Sequence, residues 1–204
     1  ALMFYQLARY EEYLPYREDR HDRFPASESL AARAGFLELP LVDCWARRLG
    51  ERLQQYFPAW SCPKPTFRFL PTYDVDLAWA FRYRGWVRQL GGALRQLSQA
   101  DLEGLQLRLA VLRGRQPDPF QTFSLLDALH RRYELEARFF FLLADPGRYD
   151  TNVSARRPAL RELIRQLDRR YRIGIHPSYR SHDRPWLLER EMQRLEHITG
   201  KAIH

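Results

Sequence analysis

The chain has 204 residues, 45% of them hydrophobic and 14% aromatic, enough for one globular domain and part of a second. No apolar run approaches the roughly 20 residues that span a bilayer, and the start, ALMFYQLARYEEY, puts charges directly behind a short apolar stretch, unlike a secretory leader. The net charge is +8, but 31 of the 33 basic residues are arginines spread along amphipathic segments, such as Arg47, Arg48 and Arg52 or Arg161, Arg165, Arg169 and Arg170, which disfavours nucleic acid as the partner. The two cysteines, Cys44 and Cys62, are 18 residues apart without a CxxC, so they suit neither a disulfide framework nor a zinc knuckle. Two thiols in a reducing compartment are expected, which favours the cytoplasm.

Leu2 to Leu14 has helical spacing, with Leu2, Tyr5, Leu7 and Tyr10 available for an inner face. A long polar stretch follows, PYREDRHDRFPASESLAARAGF, with prolines and charges but no period. Leu41 to Phe57 predicts an amphipathic helix, since Val42, Trp45, Leu49, Leu53 and Phe57 recur at threes and fours. PAWSCPKP then breaks the pattern and marks the domain boundary, giving a mainly helical region over 1–64 and a second region over 65–204.

From Thr66 to Asp76 the pattern alternates: Phe67, Phe69, Pro71, Tyr73 and Val75 share one face, and Leu70, Thr72, Asp74 and Asp76 the other. Trp86 to Arg113 reads as a helix interrupted at Gly91-Gly92, and Phe120 to Arg132 as another. Phe139 to Leu143 is an apolar strand, and Ala155 to Tyr171 a helix with Leu160, Leu163, Ile164 and Leu167 at core spacing. RIGIHPSY supplies a third strand and Trp186 to Thr199 a last helix. Strands alternating with helices predict α/β architecture with a parallel sheet.

In such folds the carboxyl ends of the strands form the working face. These ends carry Asp74 and Asp76, then Ala144-Asp145-Pro146, then His176-Pro177-Ser178-Tyr179. Carboxylates and imidazole suit a divalent metal such as zinc, and a second carboxylate beside the ion can act as a base. The same residues would also serve a purely structural role, an Asp capping a helix and a His bonding to a loop. Two other chemistries use D-x-D. A dehalogenase-type phosphatase needs Thr or Val where Ala78 stands, and a lysine for which only Lys201 remains. A sugar-nucleotide transferase places its D-x-D after several nucleotide-binding strands.

In order, TYDVD (Thr72 to Asp76), ARFFFLLAD (Ala137 to Asp145) and RIGIHPSYRSH (Arg172 to His182) resemble the first motif, second strand and second motif of the polysaccharide deacetylase (NodB-homology) family. The segment LARYEEYLPYREDRHDRFPASESLAARAGFLELPLVD resembles the region before that domain in one bacterial branch. The resemblance implies a partial irregular (β/α) barrel preceded by a mainly helical N-terminal region. It also implies metal-dependent removal of acetyl groups from a sugar or polysaccharide. On it, Asp74 is the general base, Asp76 and His176 are metal ligands, and zinc is the expected metal. The alternative is a non-catalytic carbohydrate-binding or scaffold module of the same fold, with the Asp pair tied up by Arg82, Arg84 or Arg180. Two departures stand out. Arg180 occupies the position of the family's second histidine, leaving His182, Ser178 or Arg180 itself as the substitute ligand or substrate contact. The family's later motifs are missing, so the sequence is expected to be a truncated piece of a longer barrel, with a further strand beginning at its last residues.

Overall fold

The computed structural model describes residues 2–61, 66–145, 147 and 149–203. Two compact units are present, Ala1–Phe67 and Arg68–His204. The boundary expected at 64/65 falls on residues 62–65, which lie outside the described residues, as does Cys62. Cys44 is an exposed free thiol.

In the first unit, α1 (Leu2–Leu7) is shorter than the expected helix to Leu14. Arg9 turns left-handed at φ 51, which ends the α-helical ladder, and Tyr10–Tyr13 tighten into a 3-10 turn. The polar stretch without a period is organised by its own side chains. Asp19 Oδ1 accepts the backbone N–H groups of His21 (2.7 Å) and Arg23 (3.1 Å), and the Tyr16 and Phe24 rings meet edge to face. α2 (Leu30–Arg33) is capped by Ser29 Oγ, which accepts the Ala32 N–H at 3.1 Å. α3 (Leu41–Tyr56) has the expected span, with Val42 and Trp45 half-buried while Leu49, Leu53 and Phe57 remain exposed.

The second unit is built on three parallel strands, β1 (Thr72–Val75), β2 (Arg138–Leu142) and β3 (Arg172–His176), in the order β1-β2-β3. α4 (Trp86–Ser98), α5 (Leu102–Leu112) and α6 (Phe123–Arg132) lie between β1 and β2 in the chain. α7 (Pro158–Asp168) joins β2 to β3, and α8 (Pro185–Thr199) follows β3. β1 is shorter than the alternating run that predicted it. Arg138 donates its N–H to Pro71 O at 2.9 Å, but Pro71 has no N–H to return, so pairing ends there and Phe67 and Phe69 stay exposed. The expected glycine break in the long helix is also displaced. Gly91 and Gly92 lie inside α4, and the chain turns at Ala100 (φ 54) before Asp101 caps α5 by accepting the Gly104 N–H at 2.9 Å. Gly92 is instead a close-approach site: a Cβ there would meet Arg108 Nη2 at 2.6 Å.

One face of the sheet makes the core. Tyr73, Val75, Phe139, Phe141, Ile173 and Ile175 pack with Leu160, Ile164 and Leu167 of α7 and Leu195 and Ile198 of α8. Leu160, Ile164 and Leu167 are one helical face, as their spacing predicted. The opposite face carries Thr72, Asp74, Phe140, Gly174 and His176, and the described strands leave it uncovered. The sheet is open, not a closed barrel.

Candidate functional site

Period-two alternation decides which side chains meet on the open face. Asp74 pairs in register with Phe140, and Phe140 with Gly174, while His176 sits two residues on, opposite Leu142. A side chain at Gly174 would collide with the Phe140 ring, its Cβ falling 2.6 Å from Phe140 Cδ1, so the glycine lets that ring lie flat against β3. At the carboxyl end of this face the His176 ring sits between the two carboxylates. His176 Nε2 is 4.0 Å from Asp74 Oδ2, and His176 Nδ1 is 3.8 Å from Asp76 Oδ1. Both distances exceed a hydrogen bond. Asp74 and Asp76 are well exposed, at 63% and 58% of their side chains, and His176 is at 34%. The Nδ1 atom of His176 is buried and has no hydrogen-bond partner.

Each loop leaving the sheet at this end is fixed by buried polar side chains. After β1, Asp118 accepts four backbone N–H bonds, from Ala80 (2.7 Å) and Phe120 (3.1 Å) at Oδ1 and from Phe81 (2.9 Å) and Arg82 (3.0 Å) at Oδ2. Burial pushes its carboxyl pKa up, but those four donors outweigh burial and hold it below the ordinary carboxylate range. After β2, Asn152 Nδ2 donates to Ala144 O at 2.9 Å and Leu142 O at 3.2 Å. After β3, Glu191 Oε2 accepts the Ser178 N–H (3.1 Å) and Asp150 Oδ1 the Tyr179 N–H (2.8 Å). Buried donors left unsatisfied would each cost about 1–3 kcal/mol, so these anchors keep the rim of the site in one shape. Sequence reading missed all four anchors. Asp118 did carry a signal: it lies between Pro117 and Pro119, neither of which has an N–H to occupy its carboxylate.

The other expected site residues are placed differently. Ser178 is buried, and its Oγ has no hydrogen-bond partner. Arg180 is exposed within the 3-10 turn Tyr179–Ser181. His182 is largely exposed, with Nδ1 3.5 Å from Asp183 Oδ1. Asp145 is drawn to α8, where it meets Arg194 Nη2 at 2.7 Å and Arg190 Nη1 at 3.4 Å. Its pKa is lowered, first by the hydrogen bond from Arg194. Among the described residues Asp74 and Asp76 lie within 4.0 Å of His176 and form no ion pair with Arg82, Arg84 or Arg180.

The donor chemistry suits a divalent cation at two positions. The unpartnered His176 Nδ1 faces Asp76 Oδ1, a nitrogen–oxygen pair that suits zinc, while Asp74 faces the other ring nitrogen, where a carboxylate orients a ligating imidazole. A third ligand is not supplied in the same way: among the described residues no group of three or more His, Cys, Asp or Glu could hold a metal.

A family model described as a family of unknown function (DUF7033) matches residues 1–58, which end before β1. No curated protein and no solved structure matches the chain. Among the described residues no helix is long and apolar enough to cross a membrane.

Proposed function

We propose that the second unit is the leading part of an irregular (β/α) barrel and that its strand-end site serves a metal-dependent carbohydrate deacetylase, removing N- or O-linked acetyl groups from a sugar or polysaccharide. The observation that carries this reading is the meeting of Asp74 and Asp76, from the end of β1, with His176, from the end of β3, within 4.0 Å on an open face. Asp76 and His176 would hold the divalent cation, zinc first, which when bound polarises the acetyl carbonyl and makes water a better nucleophile. Asp74, exposed and free of any arginine partner among the described residues, takes the proton from the attacking water. As the bond from the acetyl carbon to the sugar nitrogen or oxygen breaks, that proton passes to the leaving atom, giving acetate and a free amine or hydroxyl. Tyr149 and Tyr179, whose rings lie 4.3 Å apart on the loops after β2 and β3, offer an aromatic surface of the kind sugar rings stack on.

The test is zinc titration by calorimetry, together with acetate release from N- and O-acetylated oligosaccharides. The reading expects about one zinc per chain, and loss of both zinc binding and acetate release in Asp76→Ala and His176→Ala. Zinc uptake unchanged in both variants would contradict it. Saccharide binding by the zinc-loaded protein without acetate release would favour the non-catalytic carbohydrate module instead.

A further inference from the structure

A second, chemically different site lies between α7 and α8, beside the loop that leaves β2. There a half-enclosed cavity of about 350 Å³ is lined by Arg156, Arg161, Arg190, Arg194, His197 and the single carboxylate of Asp145. The four guanidinium groups are compensated unevenly. Arg194 binds Asp145 Oδ1 (2.7 Å) and Leu143 O (2.6 Å), and Arg190 shares Asp145 through Oδ2 at 3.4 Å. Asp145 is thereby occupied, and Arg156 and Arg161 have no ion pair of their own among the described residues. The Nε–H of Arg161 is buried and lacks any hydrogen-bond partner. A buried guanidinium donor left unsatisfied is costly, and clustered like charges repel. Both costs fall when an anion with several acceptor oxygens enters the cavity.

We infer that this cavity binds a tetrahedral oxyanion carrying about two negative charges, a phosphate group either free or esterified to a small molecule. Planar, always-charged guanidinium forks suit phosphate, because each fork can donate two parallel N–H bonds to its oxygens. A cavity of about 350 Å³ also has room for more than the phosphate itself, at the lower end of small-ligand sites. Asp145 lies at the end of β2, but Asp74, Asp76 and His176 do not line this cavity, so the inference stands apart from the proposed deacetylation.

The test is calorimetry and thermal unfolding of the 204-residue chain with inorganic phosphate or a hexose 6-phosphate, against sodium chloride at matched ionic strength. Phosphate is expected to raise Tm in a saturable way that chloride does not reproduce. The double variant Arg156→Gln/Arg161→Gln is expected to weaken phosphate binding at least tenfold, with the anion-free Tm unchanged or higher because repulsion is relieved. Arg190→Gln gives the same reading should the double variant fold poorly, and Arg95→Gln on α4 should bind phosphate like the parent protein. Tighter binding of the hexose 6-phosphate identifies an esterified ligand; equal binding identifies the free anion. Equal stabilisation by chloride, or unweakened binding in both Arg156→Gln/Arg161→Gln and Arg190→Gln, overturns the inference.

Discussion

Replacing Asp118 with Asn tests whether the loop after β1 is held by one carboxylate. The wild-type side chain, 2% exposed, accepts four backbone N–H bonds, two on each oxygen. An asparagine keeps one acceptor oxygen and turns an NH2 toward the other two donors. Two charge-assisted bonds are lost and the remaining two become neutral, and hydrogen bonds to charged groups contribute about 1.5–3 kcal/mol each. A destabilisation of about 3–5 kcal/mol follows, a large part of the 5–15 kcal/mol typical of a whole domain. Urea unfolding at pH 7 should show a lower midpoint at unchanged slope. The pH dependence supplies a second signature. Because the folded pKa of Asp118 is lowered, its contribution is fully present above the ordinary carboxylate pKa and is lost as pH falls through the folded value. The gap between wild type and variant should therefore narrow in acid below about pH 4. A change under about 0.5 kcal/mol, the scale of ordinary surface substitutions, would refute the anchoring role, as would a gap that does not shrink in acid.

Three further outcomes follow from the same geometry. Gly174→Ala puts a methyl 2.6 Å from the Phe140 ring and should cost about 1–3 kcal/mol in denaturant unfolding; Gly174→Ala/Phe140→Leu should recover part of that loss. Tyr171, pushed up to about 12 first by burial and then by its 2.6 Å hydrogen bond to Asp127 Oδ1, should titrate last among the visible phenols in an ultraviolet titration. Its stabilising contribution is complete below pH 10 and disappears as pH rises toward 12, and Tyr171→Phe should remove that alkaline limb. His130, buried between Tyr73 and Tyr171, has its pKa lowered by burial against the opposing pull of Asp127, so stability should fall as pH drops below about 6.5 toward the lower folded value, measurable by proton NMR of the ring together with urea midpoints.

The parallel sheet was legible because its signals are local. Phe139 to Leu143 is an unbroken apolar run, and Leu160, Ile164 and Leu167 repeat at helical spacing; Phe139, Phe141 and the three helix residues are all buried. The lengths of elements were harder to read where one residue decides them: Arg9 ends α1, Pro71 ends the ladder of β1, and Ala100 rather than the glycine pair separates α4 from α5. Asp74, Asp76 and His176 could be picked out because strand ends are marked by the apolar runs before them. Asn152, Glu191 and Asp150 could not, because nothing in the sequence marks the backbone each one holds; the prolines around Asp118 mark its carboxylate as unoccupied, but not its partners 36 to 38 positions away. The arginine-lined cavity was hidden for the same reason, since its residues come from two helices and from the loop after β2 and look in sequence like ordinary solvated positions.

The central claim is that Asp74 is the base of a hydrolytic site shared with Asp76 and His176. It is tested most directly by acetate release from an acetylated oligosaccharide, comparing wild type with Asp74→Asn at equal bound zinc. Removal of a general base predicts a rate lower by about 100-fold or more with zinc content unchanged. Equal rates in the two proteins would contradict the assignment.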